Sequence, residues 1–215
     1  MNRGLVIGLA GAALATAAAA AWSSDIIERT TPDKPTHFVR PPKPSGDRIF
    51  LTEAQMIQAK ATGILDRDVK SIINVRKRMT YGDFLWSDRN VPKGRVWIRV
   101  DLDKQILSAF RAGHEIGTAV ILYGVDDKDT PVGTFPVLAK SKDYRSRAYD
   151  NAPMPYSLHL THDGVAIHGS DVRWGRATHG CVGVPIDFAQ KLFGQVSKGD
   201  QVVIVSRNRK SAQPS

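Results

Sequence analysis

Arg95-Val96-Trp97-Ile98-Arg99-Val100-Asp101-Leu102-Asp103-Lys104-Gln105-Ile106-Leu107-Ser108-Ala109-Phe110 is the stretch that decides the fold class. Val96, Ile98 and Val100 alternate with Trp97 and Arg99, a period of two that puts one set of side chains on each face of a strand. Asp101 to Lys104 supplies turn residues, and Ile106 to Phe110 then returns as the second arm of a hairpin. Outward from this hairpin the same reading predicts strands at Thr118 to Tyr123, Thr134 to Leu138, Tyr156 to Thr161, Val165 to His168 and Gln201 to Val205. Asp163-Gly164 marks a turn between two of them. One short helix is expected from Ile186 to Phe193, with Phe188 and Leu192 on one face and Gly194 after it. Many short strands with little helix predict a mainly β domain over 95–206, a β-sandwich or irregular barrel.

The segment before it reads differently. Thr52 is placed to cap a helix from Glu53 to Ala61 that stops at Gly63. A second helix is expected from Asp66 to Lys77, with Val69, Ile72, Ile73 and Arg76 at helical spacing. Together they make a small helical preface over 49–94, with Ile72 and Ile73 packing on the main domain. Residues 22–48 carry Pro32, Pro35, Pro41, Pro42 and Pro44 among Lys and Arg, which is the composition of an extended linker. Residues 207–215 form a basic tail.

Residues 1–21 begin with the basic Met1-Asn2-Arg3 and continue as an uncharged Ala-rich tract from Leu5 to Ala21. Ala19-Ala20-Ala21 fits a cleavage site, so the tract reads as a signal peptide, or as an uncleaved membrane anchor. Both readings predict export, to the periplasm or cell envelope. Lys and Arg total 30 against 21 Asp and Glu, a formal charge of +9. That surplus suits a nucleic acid, a membrane face or a carboxylate-rich polymer, and export makes nucleic acid the poorest of the three. The chain has 1 cysteine, Cys181, so no disulfide can form within it and a thiol is left for chemistry or for the core.

Cys181 sits in Thr178-His179-Gly180-Cys181-Val182-Gly183, which follows Ala166-Ile167-His168-Gly169-Ser170 after a loop. A cysteine attacks as its thiolate and needs a neighbour to take its proton, a task suited to His168 at the end of an adjacent strand. Gly180 permits a tight turn that can aim backbone N–H groups at a developing oxyanion. Each histidine alone has an ordinary structural role open to it, His168 at a strand end and His179 in a turn. The exported chain, its single cysteine and two glycine-flanked histidines together favour catalysis. His159, His162, His168, His179 and Cys181 could be drawn as a zinc set, but no CxxC or HExxH spacing accompanies them.

These motifs resemble the signature of the YkuD-type L,D-transpeptidases: a His-Gly pair, then Ser/Thr-His-Gly-Cys and an apolar residue, here Val182. Thr130-Pro131-Val132-Gly133-Thr134-Phe135 and Ala152-Pro153-Met154-Pro155-Tyr156 are similar to upstream segments of the same family. The resemblance covers about Arg95 to Val205. It implies that Cys181 is the nucleophile, His168 the proton donor and acceptor, His179 a supporting residue, and Gly180 with Cys181 a source of oxyanion amides. It further implies that a backbone carbonyl near the His-Gly turn, rather than a carboxylate, orients the imidazole. Many relatives carry Arg or Asn where this chain has Gly183, and the loop between His168 and Cys181 is shorter than in many of them. Arg173 or Arg176 is expected to take over the donor-carboxylate contact, with Trp174 shielding the thioester, and Met154 and Tyr156 are further candidates for substrate contact. The implied reaction is acyl transfer from a peptidoglycan stem tetrapeptide with release of D-alanine, in cell-wall biogenesis and cell shape. It needs no cofactor and no metal, and a monomer suffices. Two alternatives stand beside it: a cell-wall cysteine peptidase on the same scaffold, and a non-catalytic wall-binding module.

Overall fold

The computed structural model describes residues 47–63, 65, 67–124, 129–147, 150–171 and 179–207. The central hairpin is present as β4 (Val96–Asp101) and β5 (Ile106–Arg111), antiparallel with Ile98 opposite Ala109. Around it stand β1 (Arg48–Phe50), β2 (Ser71–Ile73), β3 (Phe84–Trp86), β6 (His114–Val120), β7 (Gly133–Pro136) and β12 (Gln201–Val205). They form one sheet in the order β1-β2-β6-β5-β4-β12-β7, with β3 also paired to β6. A second sheet holds β8 (Ala139–Arg145), β9 (Pro153–His159), β10 (Ala166–Gly169) and β11 (Val182–Val184), in the order β11-β10-β9-β8. The fold is mainly β and sandwich-like, and the described residues include two helices, α1 (Glu53–Ala61) and α2 (Ile186–Gln195).

The core lies between the sheets. Ile98, Val100, Leu107, Val202 and Ile204 of the larger sheet meet Leu158, Ile167, Val182 and Val184 of the smaller, with Phe188 and Leu192 of α2 packed among them. Burying such side chains is worth about 1.5–3 kcal/mol each. A bridge between Leu122 and Gly183 lies at the site described below, the two residues exchanging backbone hydrogen bonds of 2.9 and 2.8 Å. The other face of the larger sheet carries Trp97 stacked on Phe110 at 4.4 Å, with Val69, Leu65 and Ile72 against it and Arg67 over the indole.

The preface departs from expectation. α1 is present, with Thr52 and Gln55 closing a capping box and Gly63 beyond its end at φ +67°. The second helix, expected over 66–77, is not formed in the described residues 67–77, which contain β2 instead. Val69, Ser71 and Ile73 are buried while Ile72 is half-exposed, so the apolar period there is two rather than 3.6. β-Branched residues lose side-chain freedom in a helix and pack well on a pleated surface, which favours the strand. β2 pairs with β1 on one side and β6 on the other, so the preface extends the larger sheet instead of resting on it.

A buried polar group locks that extension. Arg48 donates to Ser71 Oγ at 3.0 Å, to the Glu115 carbonyl at 2.8 Å and to the Ser87 carbonyl. Ser71 Oγ meets His114 Nδ1 at 2.9 Å, and the Ile73 N–H donates to Glu115 Oε2 at 2.7 Å. Burial pushes the Glu115 carboxyl above its usual range, against the opposing pull of its hydrogen bonds and of Arg48.

Candidate active site

β10 and β11 are parallel neighbours, with Ile167 opposite Val182, His168 opposite Gly183 and Gly169 opposite Val184. Cys181 immediately precedes β11, so a pairing of adjacent strands brings together two residues that a loop separates in sequence. Gly180 sets the entry: its φ of +91° lies in the left-handed region, where a residue with a Cβ pays a steric cost. Cys181 is 9% exposed and packs with Met154 and Ala166, with Tyr144 against the cluster. Its Sγ lies 3.5 Å from the Gly164 carbonyl oxygen, at the turn between β9 and β10.

His168 is 8% exposed. Its Nδ1 lies 2.9 Å from the Gly169 carbonyl oxygen, which can only accept, so Nδ1 carries the proton and Nε2 is left with its lone pair. Burial is the main force pulling the His168 pKa below its ordinary value; the Gly169 bond opposes it and the neighbouring His159 adds to it. The ring is therefore neutral at neutral pH, the state a proton acceptor needs. Gly169 also explains itself by packing: a Cβ there would meet Pro155 Cγ at 3.2 Å and the Ile186 Cα at 3.3 Å.

With that geometry in view, residues 95–204 match the YkuD family, the L,D-transpeptidase catalytic domain. The chain belongs to this family. The structure is also similar to that of an L,D-transpeptidase from Mycobacterium tuberculosis H37Rv, at 19% identity and TM-score 0.49, covering 52% of this chain and 57% of that one. A mutant Enterococcus faecium L,D-transpeptidase gives 28% identity and TM-score 0.48, with 53% and 50% covered. One from Stackebrandtia nassauensis gives 23% and 0.48, with 54% and 57% covered. The match thus spans less than two thirds of each of these chains. No match is found among curated protein sequences.

Within this L,D-transpeptidase domain the remaining expected site residues are placed unevenly. Met154 lies against Cys181. Tyr156 does not join it: its ring packs on Phe193 of α2, 5.8 Å between centroids, as part of the main core. Tyr156 has φ +55°, an unusual conformation for a bulky residue, which breaks the regular alternation along β9. His179 is exposed. Arg173, Trp174 and Arg176 lie outside the described residues.

Gly183 is accounted for by its surroundings. A Cβ at this position would sit 2.4 Å from Ser170 Oγ, so that hydroxyl occupies the space into which Arg or Asn would begin. Ser170 Oγ is buried and has no hydrogen-bond partner among the described residues. His159 is a further neighbour. It is the register partner of Ala166 and sets its ring edge-on to Tyr144 at 4.6 Å, and burial lowers its pKa. In the sequence it stood out only as one of several histidines, because its nearness to His168 depends on the β9–β10 register.

Proposed function

We propose that the protein is a peptidoglycan L,D-transpeptidase with Cys181 as nucleophile and His168 as its general base. The observation that carries this reading is the family match over 95–204, together with a buried His168 whose Nδ1 is tied to the Gly169 carbonyl one strand away from Cys181. His168 Nε2 takes the thiol proton as Sγ attacks the carbonyl of the residue preceding the terminal D-alanine of a stem tetrapeptide. Backbone N–H groups at Gly180 and Cys181 receive the developing oxyanion. The C–N bond breaks, the imidazolium returns its proton to the departing D-alanine amine, and a thioester remains. An acceptor amine from a second stem attacks that thioester, His168 accepts the amine proton, and the thiolate leaves to be reprotonated. The active protein is a monomer exported to the cell envelope, with its N-terminal tract serving as signal or anchor.

Mass spectrometry of the purified protein with a disaccharide-tetrapeptide tests this. An acyl-enzyme that has lost D-alanine, followed by a cross-linked dimer, is expected. Acyl-enzyme that decays only to free peptide would reassign the protein as a peptidase, and no adduct on Cys181 at all would remove the nucleophile.

A further inference from the structure

Apart from the thiol site, the domain carries a groove of about 1390 Å³ bounded by β1, β3, the segments after β2 and β3, and Lys191 of α2. It shares no residue with the cluster around Cys181. All of its lining residues except His114 and Lys191 precede residue 95, so the groove is built mainly from the part of the chain outside the family domain. Six Arg or Lys residues line it against three Asp. Lys77, Arg78, Arg89 and Lys191 are exposed, and among the described residues no ion pair or hydrogen bond occupies their side chains. Of the three acids Asp83 is engaged, accepting from the Thr80 N–H at 2.8 Å and its hydroxyl at 2.9 Å, so the cations outnumber the open carboxylates. Apolar surface lies between the charges, with Phe50 56% exposed, Leu85 and Val75 also open, and Trp86 half-buried.

We propose that this groove is a second, non-catalytic binding site for an extended anionic glycan, the peptidoglycan strand whose stems the thiol site processes; the choice of polymer rests on the transpeptidase reading. Unpaired cations around exposed aromatic and aliphatic side chains suit a ligand that presents carboxylates beside the apolar faces of sugar rings. A concave site selects a chain over a flat bilayer. Holding the strand there raises the local concentration of stems at Cys181 without any added contact at the thiol.

The test is co-sedimentation of the full chain, its thiol blocked with iodoacetamide, with insoluble purified peptidoglycan. Lys77→Glu/Arg78→Glu/Arg89→Glu should weaken binding by roughly tenfold or more, with strong salt dependence in the parent protein. Melting temperature and, with the thiol unblocked, turnover of a soluble disaccharide-tetrapeptide should stay at parental values. Lys191→Glu alone, at an exposed helix position, gives the same direction should the triple variant fold poorly. Phe50→Ser should also weaken binding although it changes no charge, and Lys198→Glu/Arg207→Glu should leave it unaltered. Parental sedimentation of the triple variant overturns the proposal. So does equal competition by polyglutamate, or a loss confined to phosphatidylglycerol vesicles. Failure of the soluble fragment to turn over in the parent protein counts against the transpeptidase reading alone, since sedimentation is scored independently.

Discussion

Two buried polar clusters in this domain are built on opposite principles. Around Glu115 the groups are densely paired: Arg48 donates to three oxygens from three different segments, Ser71 meets His114, and the Ile73 N–H is received by the carboxylate. Around His168 one ring nitrogen is held by a carbonyl, and among the described residues the other is left open and the nearby Ser170 hydroxyl has no partner. A satisfied network in a low-dielectric interior resists change and specifies one arrangement. A ring nitrogen lone pair left unspent is instead available to a proton. The contrast separates a cluster that serves structure from one that serves chemistry, and substitutions should divide accordingly.

The largest effects are expected on activity. His168→Ala should lower kcat/KM by about 10²–10⁴ while shifting the melting temperature little, and Cys181→Ser should form no thioester. Rates are read with a disaccharide-tetrapeptide and stability by calorimetry. A His168→Ala protein that melts far below the parent would place that histidine with the structural cluster and break the division.

Arg48→Leu should do the reverse. It strips three carbonyl or hydroxyl oxygens of their donor and leaves the buried Glu115 without its cation, at a cost of about 2–4 kcal/mol. Urea titration should show the lower midpoint, and turnover per folded molecule at low temperature should remain near parental. A loss of rate without loss of stability would mean that Arg48 acts on the site.

The uneven legibility of the sequence follows the same line. β4 and β5 are legible because Val96, Ile98 and Val100 alternate with Trp97 and Arg99 and a turn returns the chain, and β12 because Val202 to Val205 is an unbroken β-branched run; the catalytic motif is legible because its members lie close along the chain. β8 escaped: Ala139–Arg145 is an edge strand with Lys140, Lys142, Asp143 and Arg145, whose charges guard an open edge and erase the apolar alternation. Ile72 and Ile73 fit either period, and only pairing with β1 and β6 selects the strand at Ser71–Ile73 over the expected helix. Tyr156 turned toward the core through a positive φ that no residue type announces. His159, Tyr144 and Ser170 reach the site through register and packing, which are long-range facts.

The histidines offer a smaller test, in pH. Burial lowers the pKa of His114, His159 and His168 below the ordinary value of about 6.5. For each, the unfolded chain binds protons at a higher pH than the folded one, so stability falls as pH drops through the unfolded value and the loss is complete below the folded one. Glu115 works the other way. Its raised pKa means that stability rises as pH falls from the folded value toward the ordinary carboxyl value. The acid limb of kcat/KM, governed by His168, should therefore lie below the ordinary histidine value. Because the positive charge of His159 also depresses His168, His159→Gln should move that limb upward. A limb unmoved by the substitution would confine the effect to burial, and a limb above the ordinary value would mean that His168 is not buried as a neutral base.

The smallest effect tests the one place where the site is tight instead of open. A Cβ at Gly183 would lie 2.4 Å from Ser170 Oγ, closer than atoms pack, and 3.4 Å from Ser170 Cβ, which is ordinary contact. Gly183→Ala should therefore cost about 1–2 kcal/mol by overpacking. Ser170→Ala should be neutral or slightly stabilising, because it removes a buried hydroxyl that has no partner among the described residues. The double variant should recover most of the loss, a coupling of about 1 kcal/mol between residues in direct contact. Activity adds a second readout. Gly183 is the register partner of His168 and lies two residues beyond Cys181, so displacing β11 moves the thiol relative to the base. Gly183→Ala should lower kcat more than KM, and Ser170→Ala in the same chain should restore it. Additive losses in the double variant would show that something other than the Ser170 hydroxyl holds the position to glycine. Full activity in Gly183→Ala alone would show that the strand pair can yield at this point without disturbing the thiol.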